Sequence, residues 1–194
     1  MKEVGLFLRG AAAAIAAMVA LAHQPALAGD RWRIDPMRTE IAFAIDAVGY
    51  PRTEGRFHRF DGRISVDFDR PDRSAVAFHV LAASVDVGSA SFSDYVKSAA
   101  FLDADRHPSI DFISTSVERI DDKTVRVAGD LTLLGVTKPI RVDVAVKRAA
   151  GGAAKRLGFF AKTSIDRLEF GMNSGYPLVS RNVELTISSE AAAL

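Results

Sequence analysis

An all-β chain folded as an antiparallel barrel of about eight strands, with one short helical segment, is predicted by three observations. Apolar residues recur at every second position in a series of separate runs, turn-forming clusters fall between most of those runs, and one stretch alone breaks into helical spacing. A strand sends successive side chains to opposite faces, so this alternation marks strands with one apolar and one wet face. Seven or eight such strands joined mostly by short turns read as a meander that closes on itself.

In chain order the alternating sets are Ile41, Phe43, Ile45; Ile64, Val66, Phe68; Val76, Phe78, Val80; Val125, Val127, Leu131, Leu133; Ile140, Val142, Val144, Val146; Leu157, Phe159, Ala161; and Val183, Leu185, Ile187. Between them stand charged or small residues such as Arg141, Asp143 and Lys147, as a solvated outer surface requires. Turn signals separate the runs at residues 68–72 (FDRPD), at Asp121-Asp122, at Gly135 and at residues 149–152 (AAGG). Over residues 91–102, Phe92, Tyr95, Val96, Ala99 and Ala100 fall three and four apart and give a helix one apolar face. Ser91 is its expected N-cap, and Asp94 in the first turn suits the helix dipole. Such a helix serves equally as a plug for one barrel end or as a lid over a ligand.

Lys2 and Arg9, an apolar run over residues 11–22 and the small-residue triplet Ala26-Leu27-Ala28 are the three parts of a bacterial secretory signal. Residues 1–28 are therefore expected to be a cleavable signal peptide, with a mature domain over 29–194 in the periplasm or secreted. The apolar run is well short of the ~20 residues that span a bilayer, and Pro25 follows it, so no stable membrane insertion is expected. Cleavage would remove two of 25 basic and one of 24 acidic residues and leave the charges in balance. A neutral domain gives no reason to expect a polyanionic partner, and no nucleic acid is expected. The chain has no cysteine, which excludes disulfides, thiolate metal sites, a lipoprotein anchor and covalently attached haem.

Catalytic patterns are absent. His58, His79 and His107 lack metal-ligand spacing, Gly-x-Ser-x-Gly does not occur, and residues 171–175 (GMNSG) misplace the serine. No catalytic residue, metal or cofactor is expected. The interior has a different chemistry on offer: twelve phenylalanines against one tryptophan, with many aliphatic side chains. An eight-stranded barrel is just wide enough to be filled by side chains or to hold one small ligand. For a ligand tail the gain is about 0.8 kcal/mol per buried CH₂, so an apolar wall is sufficient chemistry.

Four segments in fixed order carry a more specific signal: residues 91–103 (SFSDYVKSAAFLD), 107–115 (HPSIDFIST), 129–139 (GDLTLLGVTKP) and 165–171 (IDRLEFG). Together they resemble the YceI-like family of secreted, lipocalin-like proteins that bind polyisoprenoids, over about residues 32–190. The resemblance implies a carrier that holds a polyisoprenoid, an isoprenoid quinone or a similar long-chain amphiphile, for transport, storage or sensing. The candidate lining and lid are then Phe43, Ile45, Phe78, Phe92, Tyr95, Val96, Phe101, Phe112, Leu131, Leu133, Val142, Phe159 and Phe170. For a ligand head group the candidates are Lys97, Lys138 and Arg167, arginine being suited to paired oxygens. Their alternative roles are solvated charges or partners of Asp94, Asp130 and Asp166. Arg38 and Ala47 stand where family members often carry histidines, and Asn182 stands where an acidic residue is common, so no head-group role carries over there. The resemblance also suggests a membrane cytochrome b561-type partner, and a homodimer remains open. A small outer-membrane barrel is the rival architecture, but such barrels need aromatic girdles and an apolar outer band, against one Trp and three Tyr here.

Overall fold

The computed structural model describes residues 30–148 and 156–194. The expected signal peptide and the turn at 149–152 lie outside them. The strands are β1 (Asp30–Ile34), β2 (Glu40–Ala47), β3 (Tyr50–Phe57), β4 (Phe60–Val66), β5 (Ala75–Leu81), β6 (Val85–Asp86), β7 (Ser109–Arg119), β8 (Thr124–Leu133), β9 (Val136–Arg148), β10 (Arg156–Asp166) and β11 (Val179–Ala193). Helix α1 (Ala90–Lys97) joins β6 to β7.

The first six strands are three long ones, each broken once. β4 pairs with β1 while β3 pairs with β2, and β5 pairs with β4 while β6 pairs with β3. With these pairs counted as single strands, eight antiparallel strands follow one another round the wall. The ring closes where β11 meets both halves of the first: Ile187 lies opposite Ile41, and Ala193 opposite Trp32. Pro36 explains the first break, since proline has no N–H for a ladder. The short turn it starts is held by the Asp35 carboxylate, which accepts from the Met37 amide at 3.0 Å. At the third break Ser84 Oγ donates to the Leu81 carbonyl at 2.7 Å, and the Leu81 amide donates to the Arg59 carbonyl at 2.9 Å. Between β8 and β9, Leu134 (φ 53°) and Gly135 (φ 72°) both take left-handed backbone, the geometry of a tight two-residue hairpin turn.

Parity along the strands follows the sequence. Val125 and Val127 face inward, and between them Arg126 points out to Asp143 at 2.8 Å. The outer wall carries further ion pairs, Arg56 with Glu40 at 3.1 Å and Lys162 with Glu184 at 3.1 Å. Two packed clusters occupy opposite ends of the barrel. One gathers Phe57, Val85, Leu102, Leu133, Phe170 and Met172 near α1, and the other gathers Trp32, Ile34, Ile64, Leu157 and Ala191.

The helix differs from the sequence expectation. It stops at Lys97 instead of running toward Leu102, and its N-cap is Ser89, not Ser91. Ser98 ends it: its backbone is extended and its hydroxyl donates to the Tyr95 carbonyl at 2.7 Å. The Leu102 and Ala104 amides then turn back to the carbonyls of Val96 and Lys97. With the start displaced, Asp94 lies in the second turn, where it pairs with Lys97 at 3.1 Å.

Candidate ligand cavity

The inward side chains do not fill the barrel. A cavity of about 1260 Å³ runs along its interior, walled by Phe43 and Ile45 of β2, Phe78 and Val80 of β5, Phe112 of β7, Leu131 and Leu133 of β8, Val142 and Val144 of β9, Phe159 of β10 and Leu185 of β11. Glycines make room for the larger rings. A Cβ at Gly129 would overlap the Phe112 ring and one at Gly55 would overlap Phe43, so each glycine is a recess in the wall occupied by a neighbouring aromatic.

At one end α1 forms part of the rim. Ser93 faces the barrel, buried, and its hydroxyl accepts from the Val87 amide at 3.1 Å. Phe92, Tyr95 and Val96 line the cavity there with Phe101. Tyr95 packs edge-on against Phe101 at 5.3 Å between ring centres and stacks with Phe92 at 6.3 Å. The other end is charged. Asp67, Asp69, Arg119, Asp121, Lys123 and Arg148 border the cavity, and Arg148 lies 3.9 Å over the Phe68 ring while Arg119 donates to the Phe68 carbonyl. The sequence pattern read these loops only as turns. Arg148 continues the inward parity of Ile140, Val142, Val144 and Val146 on β9, which is the signal that was there to find, whereas Arg119 turns inward only because β7 shifts register between Ser114 and Ser116.

Of the lining candidates, all but Phe170 lie on the cavity wall. Phe170 is 2% exposed and packs in the end cluster beneath the cavity, because it closes the short 3-10 turn Arg167–Phe170. The head-group candidates correct more sharply. Lys97 is held on the outer side of α1 by Asp94, and Lys138, opposite Leu131 in the β8–β9 ladder, does not reach the wall. Arg167 borders the cavity but is wholly buried, and its guanidinium donates to the carbonyls of Ser180 at 2.7 Å, Val179 at 2.9 Å and Met172. The first two carbonyls lie at the bulge where β11 falls out of register with β2 between Val179 and Val183, and the third follows the 3-10 turn that Arg167 begins. A bulge leaves ladder groups unpaired, and a buried carbonyl needs a donor. Burial pushes the Arg167 guanidinium down from its ordinary range, with Asp166 acting against the shift.

The histidines and the carboxylates beside them form separate pairs. Burial raises the Asp111 carboxyl, but hydrogen bonds from Ser109 and His79, each at 2.6 Å, outweigh it and hold the group below the usual carboxylate range. Ser109 and His79 both bind Asp111 instead of each other, so this trio has no hydroxyl activated by an imidazole. His58 pairs with Asp86 at 3.3 Å, and His107 packs against Gly135. Arg38 and Ala47, the two positions at which the chain departs from the family's histidines, pair with Glu190 at 3.0 Å and line the cavity beside the β2–β3 turn respectively. No group of three His, Asp or Glu side chains suited to a metal ion occurs among the described residues.

A closed antiparallel barrel of eight strands enclosing an apolar cavity, with one short helix at its rim, is the class of protein that this geometry defines. The chain belongs to the YceI-like domain family, whose sequence profile matches residues 32–191. It is 35% identical over 189 residues to a UPF0312 protein of Ectopseudomonas mendocina, covering 94% of this chain and 97% of that one. A UPF0312 protein of Pseudomonas putida is 36% identical over 154 residues, covering 77% and 79%. Among solved structures the fold is similar to that of Burkholderia cenocepacia BcnA, with a TM-score of 0.74 at 23% identity over 81% of this chain and 98% of that one. It is also similar to a polyisoprenoid binding domain from Saccharophagus degradans implicated in plant cell wall breakdown, with a TM-score of 0.69 at 15% identity over 84% and 98%.

Proposed function

We propose that this protein is a binding protein that holds one long-chain apolar molecule, an isoprenoid or isoprenoid quinone, along the barrel axis without converting it. The observation that carries the reading is the cavity of about 1260 Å³, whose wall is apolar along the barrel and charged only toward its ends. Ten enclosed CH₂ groups would contribute about 8 kcal/mol of transfer free energy before the cost of ordering the chain, so no dedicated polar contact is required. The polyisoprenoid-binding relative of the same fold supports this ligand class. The signal-peptide pattern of residues 1–28 supports a periplasmic site of action. Charged outer strands, with Arg126–Asp143 and Lys162–Glu184 exposed, weigh against a barrel inserted in lipid, which needs an apolar outer band. No feature of the described residues favours the cytochrome b561-type partner or a homodimer.

The test is native mass spectrometry of protein isolated from its own envelope, followed by organic extraction. A stoichiometric long-chain lipid in wild-type protein, lost in Val142→Asp, is the expected result. Val142 lies mid-wall on β9, where a carboxylate would meet the ligand's chain. Recovery of wild-type protein free of any lipid, and its failure to take up a polyprenol in vitro, would overturn the reading.

A further inference from the structure

All three tyrosines of the chain stand at the α1 end of the barrel. Tyr50 is 77% exposed, Tyr176 54% and Tyr95 53%, and beside them Val48 is 70% and Leu178 63% exposed. The backbone brings these together. Val48 is at the β2–β3 turn and its amide donates to the Leu178 carbonyl at 2.8 Å, while Ala47 lies opposite both Tyr50 and Val179. Tyr50 and Tyr95 also line the cavity, so this apolar surface is continuous with the cavity wall.

The basic side chains flanking this rim are each paired with a carboxylate. Arg52 lies between Asp46 at 3.2 Å and Glu184 at 2.9 Å, Arg181 pairs with Asp166, and Lys97 pairs with Asp94. A surface of tyrosine, leucine and valine with its basic side chains paired suits the boundary between headgroups and hydrocarbon, where tyrosine places its ring in the apolar layer and its hydroxyl in the wet one. The cavity supplies the reason that lipid, and not a protein, covers it. A long apolar ligand leaving through the rim into water loses about 0.8 kcal/mol for every CH₂ exposed, and leaving directly into a bilayer it loses almost none.

We propose that the rim formed by Val48, Tyr50, Tyr95, Tyr176 and Leu178 docks reversibly on a bilayer surface, so that the ligand passes between cavity and membrane without crossing water. This rests on the reading of the barrel as a carrier of an apolar chain. Docking is shallow, driven by apolar contact, and needs no anionic lipid.

The experiment is flotation of the purified protein with vesicles of zwitterionic phosphatidylcholine, beside uptake of a fluorescent polyprenol analogue delivered from detergent. Wild-type protein is expected to float with the vesicles at both low and high salt. The variant Val48→Ser/Tyr176→Ser/Leu178→Ser touches no cavity-lining residue and should take up the analogue normally while binding vesicles about tenfold more weakly, as loss of several partly buried apolar side chains implies. Brominated lipid should quench a reporter installed by Leu178→Trp and leave Trp32, buried at the opposite end, unaffected. Uptake of the analogue without vesicle binding would overturn the docking and leave the carrier reading standing. Absence of uptake would overturn both. A dimer in sedimentation that the triple variant dissolves would assign the rim to a second copy of the chain and likewise overturn the proposal.

Discussion

The two ends of the barrel are built on opposite principles. At one, Trp32, Ile34, Leu157 and Ala191 pack closely beneath a loop whose Phe68 is gripped by Arg119 and Arg148. At the other, Phe92 and Tyr95 border the cavity and are at the same time exposed to solvent. The same eight strands bound both ends, so the difference comes from what the loops carry. An end whose aromatic side chain is buried contributes stability, while one whose aromatics stay wet has spent that burial on access. The comparison separates residues that hold the barrel together from residues that a ligand would meet.

The largest effect that sharpens this contrast is expected at Trp32. It is 3% exposed, and Trp32→Ala should lower unfolding free energy by about 3–5 kcal/mol, read from urea denaturation. Trp32→Phe should cost less than the size of the side chain suggests, because the buried indole N–H has no hydrogen-bond partner among the described residues and its removal leaves none of them unsatisfied. Tyr95→Ala should do the reverse of Trp32→Ala. It removes an exposed ring from a helix outside the strand ladders, so stability should fall by about 1 kcal/mol or less while retention of a long-chain ligand weakens severalfold, as ligand off-rates would show. Equal stability losses at Trp32 and Tyr95 would break the comparison.

The smallest effect is a shift with pH at the rim. The hydrogen bond from Arg181 holds the Asp166 carboxyl below its ordinary 3.8, and bonds from Lys162 and Arg52 lower Glu184 below 4.5. A carboxyl whose folded value is depressed adds stability above its unfolded value and loses it as pH falls through the folded one. Melting temperature should therefore be flat from neutrality to about pH 5 and decline below it, with Asp166→Asn shallowing the acid limb. An unchanged limb in that variant would locate the acid-sensitive groups elsewhere.

The alternating pattern made the wall legible because period two has one consequence, and Phe43, Phe78, Phe112, Leu131, Val142 and Phe159 all turn inward to the cavity as a result. The breaks in the first three strands were not legible. Only Pro36 marks one of them, and the other two are tied to each other by backbone bonds, from the His58 amide to the Ser84 carbonyl and from the Leu81 amide to the Arg59 carbonyl, which no local pattern announces. Burial was the second blind spot: nothing in the string Ile165-Asp166-Arg167 distinguishes an arginine aimed at a ligand from one that saturates three backbone carbonyls. Lys138 has the inward parity of β9, but position along the strand sets it past the wall of the cavity. Family resemblance located the motifs and could not assign their atoms.

Strand β6 is only two residues long and pairs with β3 alone. β7 pairs with β5 but not with β6, so the wall is unlaced over that short stretch, and α1 with the turns after it occupies the gap. Helix α1 belongs to no ladder. Its displacement would sever side-chain bonds such as Ser93 to the Val87 amide and leave every strand pairing intact. In amide hydrogen exchange the molecule should consequently behave as two bodies: a barrel whose amides exchange only on global unfolding, and residues 90–104, whose amides exchange through local opening at far lower free energy. A helix that opens in this way would uncover the rim without costing the barrel any of its strand pairs.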